Sequence, residues 1–260
     1  MTARLDSTFA NSDTPAFVAY LMGGDPDIAA SLDLMKRLPD AGVDIIELGM
    51  PFTDPAADGP TIEDAGLRSL KAGTTLDDIL GMVRSFREGD STTPVILMGY
   101  ANPVHHRGYS TFAGDMASAG ADGAIIVDLP PEEDGELRSA FETHGLALIR
   151  LATPTTDAAR LPDVVRGTKG FVYYVSMTGI TGSTEVESSG LSDRVSAVQD
   201  ASGLPVVVGF GIKTPERAAE IATIADGVVV GSAIVAEMHA SGVDAAVTLA
   251  KCLADATHGT

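Results

Sequence analysis

The stretch "PVVVGFGIKTPERAAEIATIADGVVVGSAIV", residues 205–235, decides the fold. It opens on a short β-branched run, "PVVVGFG" (205–211), which reads as a strand. Thr214 and Pro215 then stand where a helix cap and first turn are favoured, so "TPERAAEIATIA" reads as a helix. A second run, "GVVVGSA" (227–233), follows directly. Strand, helix and strand in that order imply parallel pairing.

The same alternation extends upstream. Comparable runs occur at "AFVAYLM" (16–22), "DIIELGM" (44–50), "PVILMGY" (94–100), "GAIIVDL" (123–129), "LALIRLA" (146–152) and "FVYYVSM" (171–177). They are near-continuously apolar rather than alternating, as parallel strands covered on both faces should be. Helix-like stretches such as "DIAASLDLMKRLPDAG", "TLDDILGMVRSFREGD" and "PEEDGELRSAFETHG" separate them, several starting at Asp, Thr or Pro and ending at Gly. Repeated eight times, this pattern predicts an α/β protein, a (β/α)8 TIM barrel, with a doubly wound open sheet as the alternative. An extra N-terminal helix over roughly residues 2–12 is expected to cover the barrel floor. No linker or low-complexity segment divides the chain, so residues 1–260 are expected to form one barrel domain.

Composition narrows the function. With a net charge of −19 and a pI near 4.4, the surface is unsuited to nucleic acid or an anionic membrane. A well-hydrated surface explains that acidity more simply than adaptation to salt does. The lone cysteine, Cys252, excludes an internal disulfide or a Cys-based metal cluster and is expected to be a packed thiol in a C-terminal helix. No run approaches a membrane span, and the first residues lack the apolar core of a signal peptide, so a soluble cytoplasmic protein is expected.

In such barrels the reactive groups lie at the C-terminal ends of the strands. Within "DIIELGM" side chains alternate, so Ile46 and Leu48 should pack outward and Glu47 should point into the barrel near its top. A carboxyl there is costly to ionise, and its pKa should rise towards neutrality, as a proton shuttle requires. A buried glutamate satisfied by a neighbouring tyrosine or backbone group is the alternative. In "PFTDPAADGP", Asp58 could be a simple turn residue, and its catalytic case rests on nearness to Glu47. Asp54 reads as an exposed turn or contact residue.

Gly209 and Gly211 close the seventh strand, and Gly231 and Ser232 close the eighth. Backbone N–H groups at such turns and helix starts can hold a phosphate. The polar segment "SMTGITGSTEVESSG" is either a passive loop or a lid carrying Thr181 and Gly182. No His/Asp/Glu set has metal-ligand spacing, and the nucleophile pattern GxSxG is absent.

At these residues the chain resembles the α subunit of tryptophan synthase over nearly its whole length. The resemblance is carried by "ELGMPFTDPAADGPTI", "GYANPV", "GITG", "GFGI" and "GSAIV". It implies retro-aldol cleavage of indole-3-glycerol phosphate to indole and glyceraldehyde 3-phosphate, without a cofactor of its own. Glu47 matches the family's acid/base glutamate, and Asp58 the aspartate that accepts the indole N–H. Tyr20, Ile62, Tyr100 and Tyr173 fall on positions lining the indole and glycerol pocket, and Thr181 on the lid threonine. Gly182, Gly211, Gly231 and Ser232 fall on phosphate-binding positions. The implied partner is a pyridoxal-phosphate-dependent β subunit in an αββα complex, docked over Pro51, Asp54, Asn102 and Pro130. Tyr20 stands where phenylalanine is common, and Met177-Thr178 replaces a pair that often includes arginine. A self-sufficient indole-releasing lyase and a catalytically silent phosphate-binding subunit are the rival readings.

Overall fold

Eight parallel strands close a barrel in chain order: β1 (Ala16–Met22), β2 (Ile45–Gly49), β3 (Val95–Gly99), β4 (Gly123–Ile126), β5 (Ala147–Ala152), β6 (Val172–Val175), β7 (Val206–Gly209) and β8 (Gly227–Val230). This computed structural model describes residues 3–10, 12–176, 190–209 and 211–259. Val18 of β1 stands opposite Ile45 on one side and Val229 on the other, so the sheet leaves no open edge. The (β/α)8 expectation holds and the open sheet does not.

The helices are α1 (Ala3–Ala10), α2 (Ile28–Arg37), α3 (Pro60–Lys71), α4 (Leu76–Arg87), α5 (Ala101–Arg107), α6 (Tyr109–Ala119), α7 (Gly135–His144), α8 (Leu161–Val165), α9 (Leu191–Ser202), α10 (Pro215–Ala222), α11 (Ser232–Ser241) and α12 (Val243–His258). Local chemistry explains several starts. Asp27 caps α2 through Ala30 N–H, Thr75 and Asp78 form a reciprocal capping box on α4, and Thr214 caps α10 through Arg217 N–H. Apart from β1, which spans its whole run, the strands are shorter than their apolar runs. The eighth stops at Val230 because Gly231 turns the chain into α11. None of the helices is long and apolar enough to cross a membrane, among the described residues.

Two apolar layers follow from strand alternation. Ile46, Leu48, Leu97, Val206, Val208, Val228 and Val230 face outward and pack with α2, α4 and α12 residues such as Leu34, Phe86 and Leu253. Val18, Ile45, Ile96, Ile125, Ile149, Phe171, Val207 and Val229 fill the inside. Leu5 of α1 joins this inner layer fully buried, and Phe9 meets Phe171 at 5.8 Å, so α1 does close the floor.

Aspartates brace that floor. Asp44, Asp122 and Asp226 each precede a strand and accept the N–H of Phe17, Val95 and Val206 on the neighbouring strand, at 2.7, 2.9 and 2.7 Å. Asp122 also accepts Arg4 Nη1 at 2.9 Å and Arg87 Nη2 at 2.8 Å, tying α1 and α4 to the barrel. Removing this buried carboxylate takes from the largely buried Arg87 cation its nearest counter-charge, leaving Asp90 at 3.8 Å. Asp122→Ala should therefore cost about 3–5 kcal/mol, read as a lowered urea midpoint.

Two side chains depart from expectation. Cys252 is exposed rather than packed. The buried stripe of α12 runs through Ala246, Ala250, Leu253, Ala254 and Thr257, and Cys252 falls on the opposite side of the helix. In "LALIRLA" the outward Arg150 is buried among apolar neighbours, where it pairs with the buried Asp134 at the start of α7.

Candidate active site

The second strand delivers Glu47 as its alternation requires. Ile46 and Leu48 belong to the outer layer, Ile45 to the inner, and Glu47 points into the barrel with only 2% of its surface exposed. No tyrosine satisfies it: Oε1 is buried without a hydrogen-bond partner among the described residues. Its carboxyl is accordingly pushed up to about 8, chiefly by burial and secondly by the charge of Asp58. At neutral pH the group is mostly protonated, a neutral acid able to give its proton away.

Asp58 reaches the same place by another route. Beyond Gly49 the chain makes a turn in which Asp58 N–H donates to the Pro55 carbonyl at 3.0 Å, and α3 starts two residues later at Pro60. The Tyr100 hydroxyl, just past β3, accepts Ala57 N–H at 3.1 Å and donates to the Asp58 carboxylate. The Tyr100 ring stacks on Phe52 with centroids 5.3 Å apart, which fixes it over the turn. Burial raises the Asp58 pKa, and the Tyr100 hydrogen bond opposes the rise. Two carboxyls thus share one site in different environments, the arrangement that divides acid and base work.

Apolar residues wall the mouth. Tyr20 and Met22 of β1 cluster with Ala65 of α3 and Val235 of α11, and Ile62 and Met98 pack against them. Glycines at the strand ends make this possible. A Cβ on Gly49 would lie 2.2 Å from the Tyr20 hydroxyl, and one on Gly209 would lie 2.1 Å from that of Tyr173. Gly209, read from sequence as a turn glycine, therefore serves to seat an inward tyrosine. Met98 was missed, although its place two residues before Tyr100 puts it on the inner face.

Beside Tyr20, α11 begins at Ser232 with Gly231 as its cap residue and no side chain capping it, so its first N–H groups have no side-chain partner. Gly211, exposed at a φ of +79°, sits nearby in chain order after β7. Thr181, Gly182 and the Met177-Thr178 pair lie outside the described residues. Among the described residues, no group of three His, Cys, Asp or Glu side chains could hold a metal ion.

The family model of the tryptophan synthase alpha chain matches residues 7–258. The chain belongs to that family. A tryptophan synthase alpha chain from Caulobacter sp. (strain K31) is 55% identical over 241 residues, covering 92% of this chain and 88% of that one. The crystal structure of the alpha subunit from Legionella pneumophila str. Paris has a TM-score of 0.91 at 38% identity and covers 100% of both chains. A tryptophan synthase structure from M. tuberculosis, in its aminoacrylate-bound form, has a chain with a TM-score of 0.89 at 35% identity, covering 98% of this chain and 100% of that one.

In this alpha-chain fold the residues expected at a partner surface gather on one side of the C-terminal face. Half-buried Pro51 and exposed Asp54, Asn102 and Pro130 lie in or just after the loops that follow β2, β3 and β4, which are neighbours in the barrel. Asp128 ties two of those loops together by accepting Ala101 N–H at 2.7 Å at the start of α5.

Proposed function

We infer that the chain cleaves indole-3-glycerol phosphate to indole and glyceraldehyde 3-phosphate. The observation that carries this reading is Glu47, a buried, mostly neutral carboxyl facing the charge of Asp58 at the top of the barrel. The reaction needs a proton placed on indole C3 and another removed from the side-chain hydroxyl. Protonated Glu47 gives its proton to C3. The carboxylate so formed takes the hydroxyl proton, the carbon–carbon bond breaks with formation of the aldehyde, and Glu47 ends protonated as it began. Both transfers balance on one side chain, so the step calls for no cofactor.

Asp58 accepts the indole N–H and stabilises the positive charge that C3 protonation places on the ring. Tyr20, Ile62, Tyr100 and Tyr173 hold the indole and glycerol portions, with Met98 added to that wall. Gly211, Gly231 and Ser232 hold the phosphate on backbone N–H groups, together with Gly182, and Thr181 closes over the site.

The partner is a pyridoxal-phosphate-dependent β subunit that takes up indole in an αββα assembly, docked over Pro51, Asp54, Asn102 and Pro130. Indole release by the isolated chain, measured with and without a β subunit, tests both halves of the reading. Slow release, raised at least about tenfold by the partner, is expected. Fast release that the partner leaves unchanged would make the chain a self-sufficient lyase. Absence of release in both would overturn the reaction itself and favour a silent binding subunit.

A further inference from the structure

Tyr20 carries a hydroxyl that the barrel buries without giving it a good partner. Its ring is walled in by Met22, Ala65 and Val235, and the residue is 7% exposed. Its described hydrogen bond goes to Met22 Sδ at 4.0 Å, a weak thioether acceptor. Its neighbour in the β1–β2 register is Glu47, and both side chains point inward. The hydroxyl stands over Gly49, which follows Glu47 by two residues on the same face, so it sits one step above that carboxyl. Glu47 in turn has a buried oxygen without a donor. A donor lacking a good acceptor thus lies beside an acceptor lacking a donor.

We propose that the Tyr20 hydroxyl is a positioning group for Glu47, turning from the Met22 sulfur to donate to the carboxylate whenever Glu47 is ionised. This rests on the reading of Glu47 as the proton shuttle, whose carboxylate exists only between the two transfers. A donor that engages the charged form alone stabilises that interval and leaves the resting acid unchanged. The other titratable groups turned towards this pair are Asp58 from the β2–α3 turn, Tyr100 after β3 and Tyr173 on β6. Tyr100 is engaged with Ala57 and Asp58, and Tyr173 leans over Gly209 on the far side of the barrel. Tyr20 is the one in register with Glu47.

The test is a direct titration of the Glu47 carboxyl in the full chain, by carbon NMR of glutamate labelled at its side-chain carboxyl. Glu47→Gln assigns the signal. In wild type the midpoint should lie below the value of about 8 that burial and the Asp58 charge set without a Tyr20 donor. In Tyr20→Phe, which keeps the ring and removes one oxygen, it should rise by about one pH unit. Met22→Leu withdraws the competing acceptor and should leave the midpoint at or below that of wild type. An unchanged or lowered midpoint in Tyr20→Phe would overturn the proposal. So would a rise in Met22→Leu as large as that in Tyr20→Phe, since packing would then set the value. In turnover, Tyr20→Phe should lower kcat about tenfold with little change in KM, and the fall of kcat/KM at high pH should move up by the same unit. The titration needs no substrate, so a failure of the assigned reaction and a failure of the Tyr20 contact give different results.

Discussion

Replacing Glu47 by glutamine should reduce indole release by about a thousandfold or more while substrate still binds. The side chain keeps its size and its place among Ile45, Tyr20 and Gly49, but can neither give nor take the proton. Positioned proton transfer is worth roughly 10²–10⁴ in rate, and in the proposed reaction one residue performs two transfers, which places the loss towards the upper end. KM should change little, because in the proposed binding mode the phosphate is held by backbone N–H groups at the start of α11 and not by the Glu47 carboxyl. Turnover within tenfold of wild type would remove Glu47 from the reaction.

The same variant has an opposite effect on stability, and the sign follows from the direction of the shift. Glu47 binds its proton more tightly in the folded barrel, near 8, than its ordinary value of 4.5. Its favourable contribution is complete below pH 4.5 and is lost as pH rises through the folded value. Wild type therefore loses stability between those limits and the glutamine variant does not. Thermal melts should show the variant gaining on wild type from pH 5 to pH 9, by about 2 kcal/mol or more at the upper end. Parallel melting curves across that range would mean that Glu47 ionises freely in the folded barrel.

How much of this was legible in sequence depended on distance along the chain. The inward aim of Glu47 followed from period-two alternation in five consecutive residues, Ile45–Gly49, and the barrel confirms it. Helix starts at Asp27, Thr75 and Thr214 were legible for the same reason, since a cap and its N–H lie within three residues. What failed to show was long-range. The contact of Tyr100 with the Asp58 turn spans more than forty residues and depends on barrel closure bringing β3 beside β2. The seating of Tyr173 over Gly209 arises only when β6 and β7 pair. Arg150 was hidden in an apolar run because its partner Asp134 belongs to the start of another element. Cys252 was misplaced by assuming burial from residue type, whereas its position on the α12 helical wheel opposes the buried stripe. The floor aspartates were detectable in principle, since "VDII", "ADGAII" and "ADGVVV" each set an Asp just before a strand.

Asp58→Asn is the second large effect expected, and it separates the two carboxyls by role. Asparagine keeps the turn and can still accept from Tyr100, so the fold and the Phe52–Tyr100 stack should persist. What is lost, in the proposed reaction, is a negative charge facing a ring that becomes positive in the transition state. Removing one such electrostatic partner costs about 10²–10³ in kcat, or roughly 3–4 kcal/mol. Because the Asp58 charge is also a cause of the raised Glu47 pKa, the variant should lower the Glu47 midpoint. Tyr20→Phe is expected to move that midpoint upward, so the two substitutions shift one titration in opposite directions. If Asp58→Asn stays within threefold of wild-type turnover and leaves the Glu47 midpoint in place, Asp58 is a turn residue. If the midpoint falls while kcat drops, the carboxylate acts twice: on the ring directly, and by keeping Glu47 an acid at neutral pH.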